Sequence, residues 1–174
     1  MASKTDTNLE SQHRIIPKTL RYRPMPAPYV EGVSTLPIVR KVPTVPVPCR
    51  RCLQDSTVGE EMLLVSYDPF LGDSPYRCAS PIFVHASCEP AVFPSSGGLL
   101  PEQQRTRPLS IRAYDENHMM LSAQNVQGDQ LLEVCDRILR EEVTSVLGTK
   151  ATARYCHVHY AQPGCFAVRV ERGE

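Results

Sequence analysis

The sequence predicts an α+β domain, in which an antiparallel sheet of about five to seven strands packs against one main helix on one face. Three observations support this prediction. Several short apolar segments are bounded by turn-forming residues, which is typical of strands. Some of these segments lie in pairs around short turn sequences, which favours antiparallel hairpins. One segment, residues 129–148, has apolar residues at helical spacing and is the one clear helix.

Length and composition indicate a single globular core. The chain has 174 residues, of which 41% are hydrophobic and 22% charged, as in ordinary globular domains. The 19 basic and 19 acidic residues cancel, so no net field attracts nucleic acid or an anionic membrane. The longest aliphatic run, Met62 to Val65, is much shorter than the roughly 20 residues that a membrane span needs. We therefore expect the protein to bind neither nucleic acid nor a membrane. A small molecule or another protein is left open as a partner.

The first 32 residues differ in composition from the rest. They are polar, then basic and rich in proline, and residues such as Pro17 and Pro24 block a regular ladder of hydrogen bonds. We predict a disordered arm over residues 1–32 and a single globular domain over residues 33–174. The arm lacks the apolar core of a secretory signal, and the 7 cysteines are an odd number, which favours reduced thiols or metal ligands. The cytoplasm is the expected compartment, with the nucleus as the alternative.

The first half of the domain contains three strand signals and one long loop. Residues 36–42 lie among prolines, which permits no more than an edge strand. Residues 61–67 and 81–85 are short apolar runs, which suit buried strands. Residues 90–108 include a Ser-Ser-Gly-Gly sequence and are predicted to form a long surface loop.

Two hairpins are predicted in the second half. Residues 109–114 and 119–124 flank an Asp-Glu-Asn turn, and apolar and polar residues alternate in the first segment. This pattern predicts a hairpin with one solvated face. Residues 153–159 and 166–172 flank an Ala-Gln-Pro-Gly turn, so the chain is predicted to end in a second hairpin.

The helix predicted over residues 129–148 is amphipathic, beginning after Gly128 and ending at Gly148. Its other face has acid–base pairs four residues apart, so we expect that face to be solvated. The apolar residues recur at intervals of three and four and form one stripe: Leu131, Leu132, Cys135, Ile138, Leu139, Val143 and Val146.

Two short motifs together predict a metal site. Cys49 and Cys52 form a CxxC motif, and His85 and Cys88 form an HxxC motif with the same spacing. A tight turn points two ligands with this spacing to the same side, so each motif supplies half of a tetrahedral shell. Three thiolates and one imidazole suit Zn²⁺, and a full protein shell leaves no open position for water. We therefore predict a structural zinc, whose net negative charge the two arginines between the cysteines would offset.

Two alternatives to the metal site stay open from the sequence. In one, Cys49 and Cys52 are ordinary thiols of a proline-rich loop and His85 is a hydrogen-bonded residue at a strand end. In the other, the CxxC motif is a redox pair. A redox pair needs its first cysteine at the start of a helix that follows a strand, and no such pattern surrounds Cys49.

A second group of residues suggests an enzyme of small-molecule metabolism. His157 and His159 share one face of their predicted strand. An imidazole close to a thiol lowers its pKa, so Cys165 with His157 is a candidate nucleophilic pair. Arg112 and Tyr114 are candidates for orienting an anionic substrate. Histidines on a solvated hairpin face are also commonly inert, and the motifs GxSxG, GxxxxGK[ST], GxGxxG and HExxH are absent. The sequence therefore leaves open whether the protein is an enzyme.

A series of short motifs resembles one known family. The motifs are Pro48-Cys49-Arg50-Arg51-Cys52-Leu53, Gly59-Glu60, Ser66-Tyr67-Asp68-Pro69-Phe70, Ser74-Pro75-Tyr76, Pro81-Ile82-Phe83-Val84-His85 with Cys88, Arg112-Ala113-Tyr114-Asp115, His157-Val158, Gly164-Cys165-Phe166 and Val170-Glu171-Arg172. In their order and spacing they resemble the mostly bacterial family catalogued as domain of unknown function 1203, over about residues 33–172. Relatives usually have an acidic residue and glycine before the Pro-Ile-Phe run, where this chain has Cys78-Ala79-Ser80. The resemblance implies a compact stand-alone domain and no particular activity.

Overall fold

Within residues 14–26, 38–94 and 97–173, which the computed structural model describes, the fold has ten strands, two short α-helices and one 3₁₀ turn. The strands form three sheets of five, three and two strands, and their pairings are antiparallel. The α+β class is confirmed, but the helices are short and there are several sheets where the sequence predicts one. In chain order the elements are β1 (Leu20–Arg23), β2 (Val39–Lys41), β3 (Met62–Tyr67), β4 (Ser80–His85), α1 (Glu102–Arg105), β5 (Pro108–Tyr114), β6 (Met120–Gln127), the 3₁₀ turn (Gly128–Gln130), α2 (Leu131–Arg140), β7 (Glu142–Thr144), β8 (Lys150–Thr152), β9 (Tyr155–Tyr160) and β10 (Phe166–Arg172).

The five-stranded sheet is the framework of the domain, with the strand order β1-β10-β9-β5-β6. Side chains alternate between its two faces, so Ile111 of β5 and Val158 of β9, which pair in register, lie on the same face. Both are fully buried, as is Leu139 of α2. This helix, α2, contacts β5, β9 and β10. The main core therefore lies between α2 and this face, and the opposite face carries the histidines of β9.

The helix ends earlier than the sequence predicts. α2 stops at Arg140, and a small hairpin of β7 and β8 follows where the prediction continues to residue 148. Valine and threonine of this segment are β-branched and favour strands over helices. Gly148, predicted to end the helix, has φ +79° and closes the hairpin turn instead.

No helix in the described ranges has both the length and the apolar character that crossing a membrane requires.

Residues 14–26 depart from the predicted disordered arm. β1 pairs with β10 along its whole length at the edge of the large sheet. Ile16, Tyr22 and Met25 are buried and belong to the core. The prolines of this stretch lie on either side of β1 and so do not interrupt its ladder, and an edge strand needs pairing on one side only. The arm prediction for residues 1–13 and 27–32 falls outside the described residues.

The three-stranded sheet has the order β2-β3-β4. The predicted strands at residues 61–67 and 81–85 are confirmed as β3 and β4, which pair from Met62 opposite His85 to Tyr67 opposite Ser80. The predicted edge strand is confirmed as β2, whose residues are exposed. Because His85 is the last residue of β4, the sheet places it at one end, beside the segment that contains the CxxC motif.

Residues 90–108, predicted to be a surface loop, include α1 with two buried polar side chains. Gln104 accepts a hydrogen bond of 2.6 Å from the Tyr22 hydroxyl, and Gln103 accepts one from the Tyr160 hydroxyl. The Gln103 amide also donates to the carbonyl oxygen of Cys49 at 3.2 Å. Buried amides with such partners anchor α1 between the large sheet and the CxxC segment.

Candidate functional site

The four predicted metal ligands converge in the structure. Their ligand atoms all lie within 4.8 Å of one another. The sulfur atoms of Cys49 and Cys88 are 3.6 Å apart, and the Cys52 sulfur is 3.3 Å from Nδ1 of His85. Zinc bonds of about 2.0–2.3 Å at tetrahedral angles place the ligand atoms about 3.5–3.8 Å apart. The arrangement of the side chains is therefore compatible with one tetrahedral metal ion.

The backbone around the CxxC motif forms a turn, residues 48–55, which we call the knuckle. Pro48 bridges to Asp55, and the Cys49 amide donates to the Gln54 carbonyl at 3.0 Å. Leu53 has φ 57°, a left-handed conformation that lets the chain reverse within the turn. The Arg50 amide donates to the Phe83 carbonyl of β4 at 3.1 Å. This docking brings the two cysteines to the end of β4, where His85 begins the HxxC motif.

Glu60 orients the imidazole of the site and was not among the predicted site residues. Its Oε1 lies 3.4 Å from Nε2 of His85, while its Oε2 accepts hydrogen bonds from the Thr57 amide at 2.9 Å and hydroxyl at 3.1 Å. A carboxylate at Nε2 favours the tautomer with the proton on that nitrogen, which leaves the lone pair of Nδ1 facing the sulfurs. The Thr-x-x-Glu spacing, which recurs where a threonine and a glutamate hydrogen-bond each other's backbone, was the sequence signal for this pair.

The three thiols of the site do not ionise together without a cation. Burial raises the pKa of Cys49, but backbone amides of Cys52, His85 and Arg51 outweigh it and lower the pKa to about 7. Burial and the neighbouring sulfur of Cys49 raise the pKa of Cys52 to about 12, and the same two causes raise that of Cys88. A divalent cation supplies the positive charge that stabilises three thiolates at this distance.

The two arginines of the knuckle have different roles. Arg51 is buried and donates to the Cys88 carbonyl at 3.0 Å, and its charge favours the Cys88 thiolate, as predicted. Arg50 instead points toward the β9–β10 hairpin. Its guanidinium donates to the Phe166 carbonyl at 2.9 Å and to the Cys165 sulfur at 2.8 Å, and it lies 4.9 Å from the centre of the Tyr160 ring. Arg50 therefore joins the knuckle to the large sheet.

Three of the four residues predicted for an enzyme site meet on one face of the large sheet. Arg112 of β5 lies directly opposite His157 of β9. Tyr114, two residues along β5, has its ring centre 5.1 Å from that of His157. The face is covered, although the sequence predicts a solvated one, because the loop of residues 68–79 packs over it. Phe70 of this loop lies 4.9 Å from the His157 ring, which is fully buried.

Cys165, the fourth predicted residue, lies on the opposite face. Its carbonyl accepts a hydrogen bond from the Tyr160 amide, and the next pair along the hairpin is Phe166 opposite His159. Strand alternation therefore places Cys165 with Tyr160, and His157 with His159, on different faces. The Cys165 sulfur accepts a hydrogen bond from Arg50 at 2.8 Å. The candidate nucleophilic pair of Cys165 and His157 is thus not brought together.

The two histidines of the covered face are held in the neutral form. Burial lowers the pKa of His157 to about 3, and the charges of nearby residues, among them Arg169 and Arg112, act in the same direction. Burial and Arg112 lower the pKa of His159 to about 4. The unfolded chain has histidine pKa values near 6.5, so the unfolded state binds more protons than the folded state as the pH falls below that value.

This difference predicts a loss of stability in acid. The stabilisation is fully present above about pH 6.5, and the free energy of unfolding should fall by about 1.4 kcal/mol per pH unit for each of the two histidines between about pH 6 and 4.5. His157→Gln should remove one share of that slope in urea unfolding curves measured across this range. Equal slopes for the native protein and the variant would show that His157 protonates as easily in the folded state as in the unfolded state.

Comparison with known proteins gives a family. No curated protein and no solved structure matches the chain. A family model with the description "Protein of unknown function (DUF1203)" matches residues 46–172, which confirms the resemblance found in the sequence. The matched range includes both metal-ligand motifs, the covered histidines and strands β3 to β10. The chain therefore belongs to the DUF1203 family.

Proposed function

We propose that this protein is a small accessory or binding domain held together by one structural Zn²⁺ ion. The observation that carries the proposal is the convergence of the four ligand atoms of Cys49, Cys52, His85 and Cys88 within 4.8 Å. The outermost ligands, Cys49 and Cys88, are 39 positions apart. One ion would therefore close a long loop of chain and fix the knuckle against β4, which restricts the unfolded chain.

The donor set favours a structural role for the metal. Three thiolates and one imidazole complete a tetrahedral shell, so no position is left for water or a substrate. Cys49 is fully buried, and Cys52, His85 and Cys88 are half-buried. Glu60 adds the outer carboxylate that commonly orients a zinc-bound histidine.

A binding role is supported by two grooves that share the knuckle as a wall. One, of about 680 Å³, is lined by Cys52, Leu53 and Phe93 among other residues. The other, of about 550 Å³, is lined by Pro48 and Arg50 on the knuckle side and is mainly apolar. An ion that fixes the knuckle would fix the shape of both grooves, which are of a size that accommodates small ligands.

An enzyme of small-molecule metabolism is the second candidate function. It is favoured by the meeting of Arg112, Tyr114 and His157 on one face. It has less support than the zinc domain, because the candidate nucleophile Cys165 lies on the other face. Without that thiol, the three residues form a binding arrangement with no assigned reaction.

Elemental analysis of the purified protein tests the proposed zinc site. The native protein should contain one zinc per chain, and Cys88→Ser should lose it because one of the four ligands is missing. Cys78→Ser is the matched control, since Cys78 is exposed and lies outside the cluster. Co²⁺ added to the metal-free native protein should give the absorption of a thiolate-rich tetrahedral site. Native protein that takes up neither metal, or Cys88→Ser that retains zinc as well as Cys78→Ser, would overturn the proposal.

A further inference from the structure

The covered face of the large sheet contains polar groups that the zinc domain does not use. Arg112, His157 and Arg169 occupy one row across β5, β9 and β10, since His157 is paired in register with both arginines. Directly opposite residues on neighbouring strands have their Cβ atoms about 4.5–5.5 Å apart. The row therefore brings two guanidinium groups to the two sides of one imidazole.

The imidazole at the centre of this row lacks hydrogen-bond partners. His157 is fully buried, and neither of its ring nitrogens has a hydrogen bond of normal geometry among the described residues, although the Pro69 backbone lies close enough to act on its pKa. An unsatisfied buried polar group costs about 1–3 kcal/mol, so native proteins rarely keep one without a reason. The aromatic rings of Phe70 and Tyr114 surround it without supplying an acceptor or donor to the ring nitrogens.

The two arginines differ in their partners. Arg169 donates from Nε to the Glu171 carboxylate at 2.7 Å, so part of its charge is compensated. Arg112 forms no ion pair with any carboxylate in the described part of the chain, and the Tyr114 hydroxyl is the polar group beside it. Arg112 is half-buried, so its charge is only partly compensated by water. The row therefore has an excess of positive charge and of hydrogen-bond donors.

His159 adds an acceptor next to this row. Its Nδ1 donates to the Gly164 carbonyl at 3.0 Å, so in the neutral ring Nε2 carries the lone pair. This Nε2 atom is buried and has no partner among the residues that the structure describes. The ring centres of His157 and His159 are 6.3 Å apart, so one small ligand can contact both rings.

We infer that this face binds a small oxyanion that also carries a hydroxyl group, such as hydrogen phosphate or a hydroxycarboxylate. Its oxygens accept hydrogen bonds from Arg112 and His157, and its hydroxyl donates to Nε2 of His159. This assignment uses one ring nitrogen of His157 as a donor and Nε2 of His159 as an acceptor, two of the three unsatisfied buried ring nitrogens of the face. It is independent of the zinc site, because no zinc ligand belongs to the row.

Phe70 controls access to the proposed site. Its ring packs at 4.9 Å from the His157 ring and 5.1 Å from the Tyr114 ring. The loop that carries it is fastened by hydrogen bonds, among them one of 2.7 Å from the Ser74 hydroxyl to the His118 carbonyl. Binding of an anion at His157 therefore requires displacement of the Phe70 ring.

Thermal unfolding of the protein as purified, with added sodium phosphate, sodium glycolate, sodium acetate or sodium chloride at equal ionic strength, tests this inference. Phosphate or glycolate should raise the melting temperature in a saturable way, and acetate, which lacks the hydroxyl, should raise it less. Arg112→Gln should lower the affinity for phosphate or glycolate at least tenfold. Arg112→Lys should recover part of that affinity because it restores the positive charge. Arg137→Gln, the same change on the exposed surface of α2, should bind as the native protein does.

Histidine NMR signals give a second measurement that a purely structural role would not move. Phosphate or glycolate should shift the ring signals of His157 in the native protein, and the shift should be lost in Arg112→Gln. No saturable stabilisation beyond chloride by either hydroxyl-bearing anion would overturn the site. Equal affinity of native protein and Arg112→Gln would do so as well, and acetate binding as tightly as glycolate would exclude the role given to His159.

Discussion

Replacing Cys49 by serine should abolish the proposed zinc binding and lower the free energy of unfolding by at least about 4 kcal/mol. Loss of a structural metal is among the mechanisms that give the largest effects of single substitutions. Zinc binding contributes roughly 10–16 kcal/mol in zinc-finger peptides, which do not fold without the metal. We expect a smaller contribution here, because the large sheet has a hydrophobic core that does not depend on the ion. Cys49 is fully buried, so the serine hydroxyl would also be buried where no metal ion compensates its loss of water.

Urea unfolding with and without a zinc chelator measures this effect. The chelator should destabilise the native protein by about as much as Cys49→Ser does, and it should have little further effect on the variant. Cys78→Ser is again the control, because Cys78 is exposed and its thiol donates only a weak hydrogen bond, to the neighbouring Ala79 carbonyl. If Cys49→Ser unfolds at the same urea concentration as Cys78→Ser, the metal has no structural role.

Leu139→Ala should lower the free energy of unfolding by about 2–5 kcal/mol, because the substitution leaves a cavity in a packed core. Leu139 is fully buried in α2, which packs on β5, β9 and β10. Leu147→Ala is the matched control, since the same side chain is 80% exposed there. We expect the control to change the free energy of unfolding by no more than about 0.5 kcal/mol.

A further substitution, Val146→Ala, tests where the helix ends. A helix that continued to residue 148 would place Val146 on the same buried stripe as Leu139, whereas in the structure Val146 is 90% exposed beside Leu147. Urea unfolding of Val146→Ala is therefore informative about the β7–β8 hairpin. A destabilisation of more than about 1.5 kcal/mol by Val146→Ala would contradict the exposed turn and favour the longer helix.

The cluster of Cys49, Cys52, His85 and Cys88 lies where the knuckle connects the two larger sheets. The knuckle pairs with β4 of the small sheet, and Arg50 extends from it to Cys165 and Phe166 of the large sheet. The Gln103 amide adds a hydrogen bond from α1 to the Cys49 carbonyl. Fixing the knuckle with one ion would therefore fix the position of the three-stranded sheet relative to the five-stranded sheet. This connection explains why we expect metal loss to affect more than the local turn.

The two ligand motifs and most strands could be read from the sequence because both are local patterns. The two-residue spacing of CxxC and HxxC is fixed within single turns, and strand alternation is a property of consecutive residues. His157 and Arg112 lie on two predicted strands, β9 and β5, and the pairing of these strands is enough to bring the two residues together. The convergence of the two ligand motifs required a hairpin between them, which β3 and β4 form.

The features that the sequence missed depend on contacts between distant residues. β1 is ordered by pairing with β10, a partner about 150 positions away in the chain. The covering of His157 by Phe70 depends on how the loop of residues 68–79 folds back, which has no periodic signal. The early end of α2 reflects β-branched residues that a count of apolar spacing ignores. Glu60 was missed because its role at His85 is tertiary, although its link to Thr57 is local.

X-ray absorption at the zinc edge of the purified native protein tests the central claim most directly. We expect a four-coordinate shell with three sulfur atoms at about 2.3 Å and one nitrogen atom at about 2.0–2.1 Å. Glu60 should not contribute an oxygen, because it faces Nε2 on the far side of the imidazole. Absence of zinc, or a shell dominated by oxygen and nitrogen with fewer than three sulfur atoms, would contradict the structural site formed by Cys49, Cys52, His85 and Cys88.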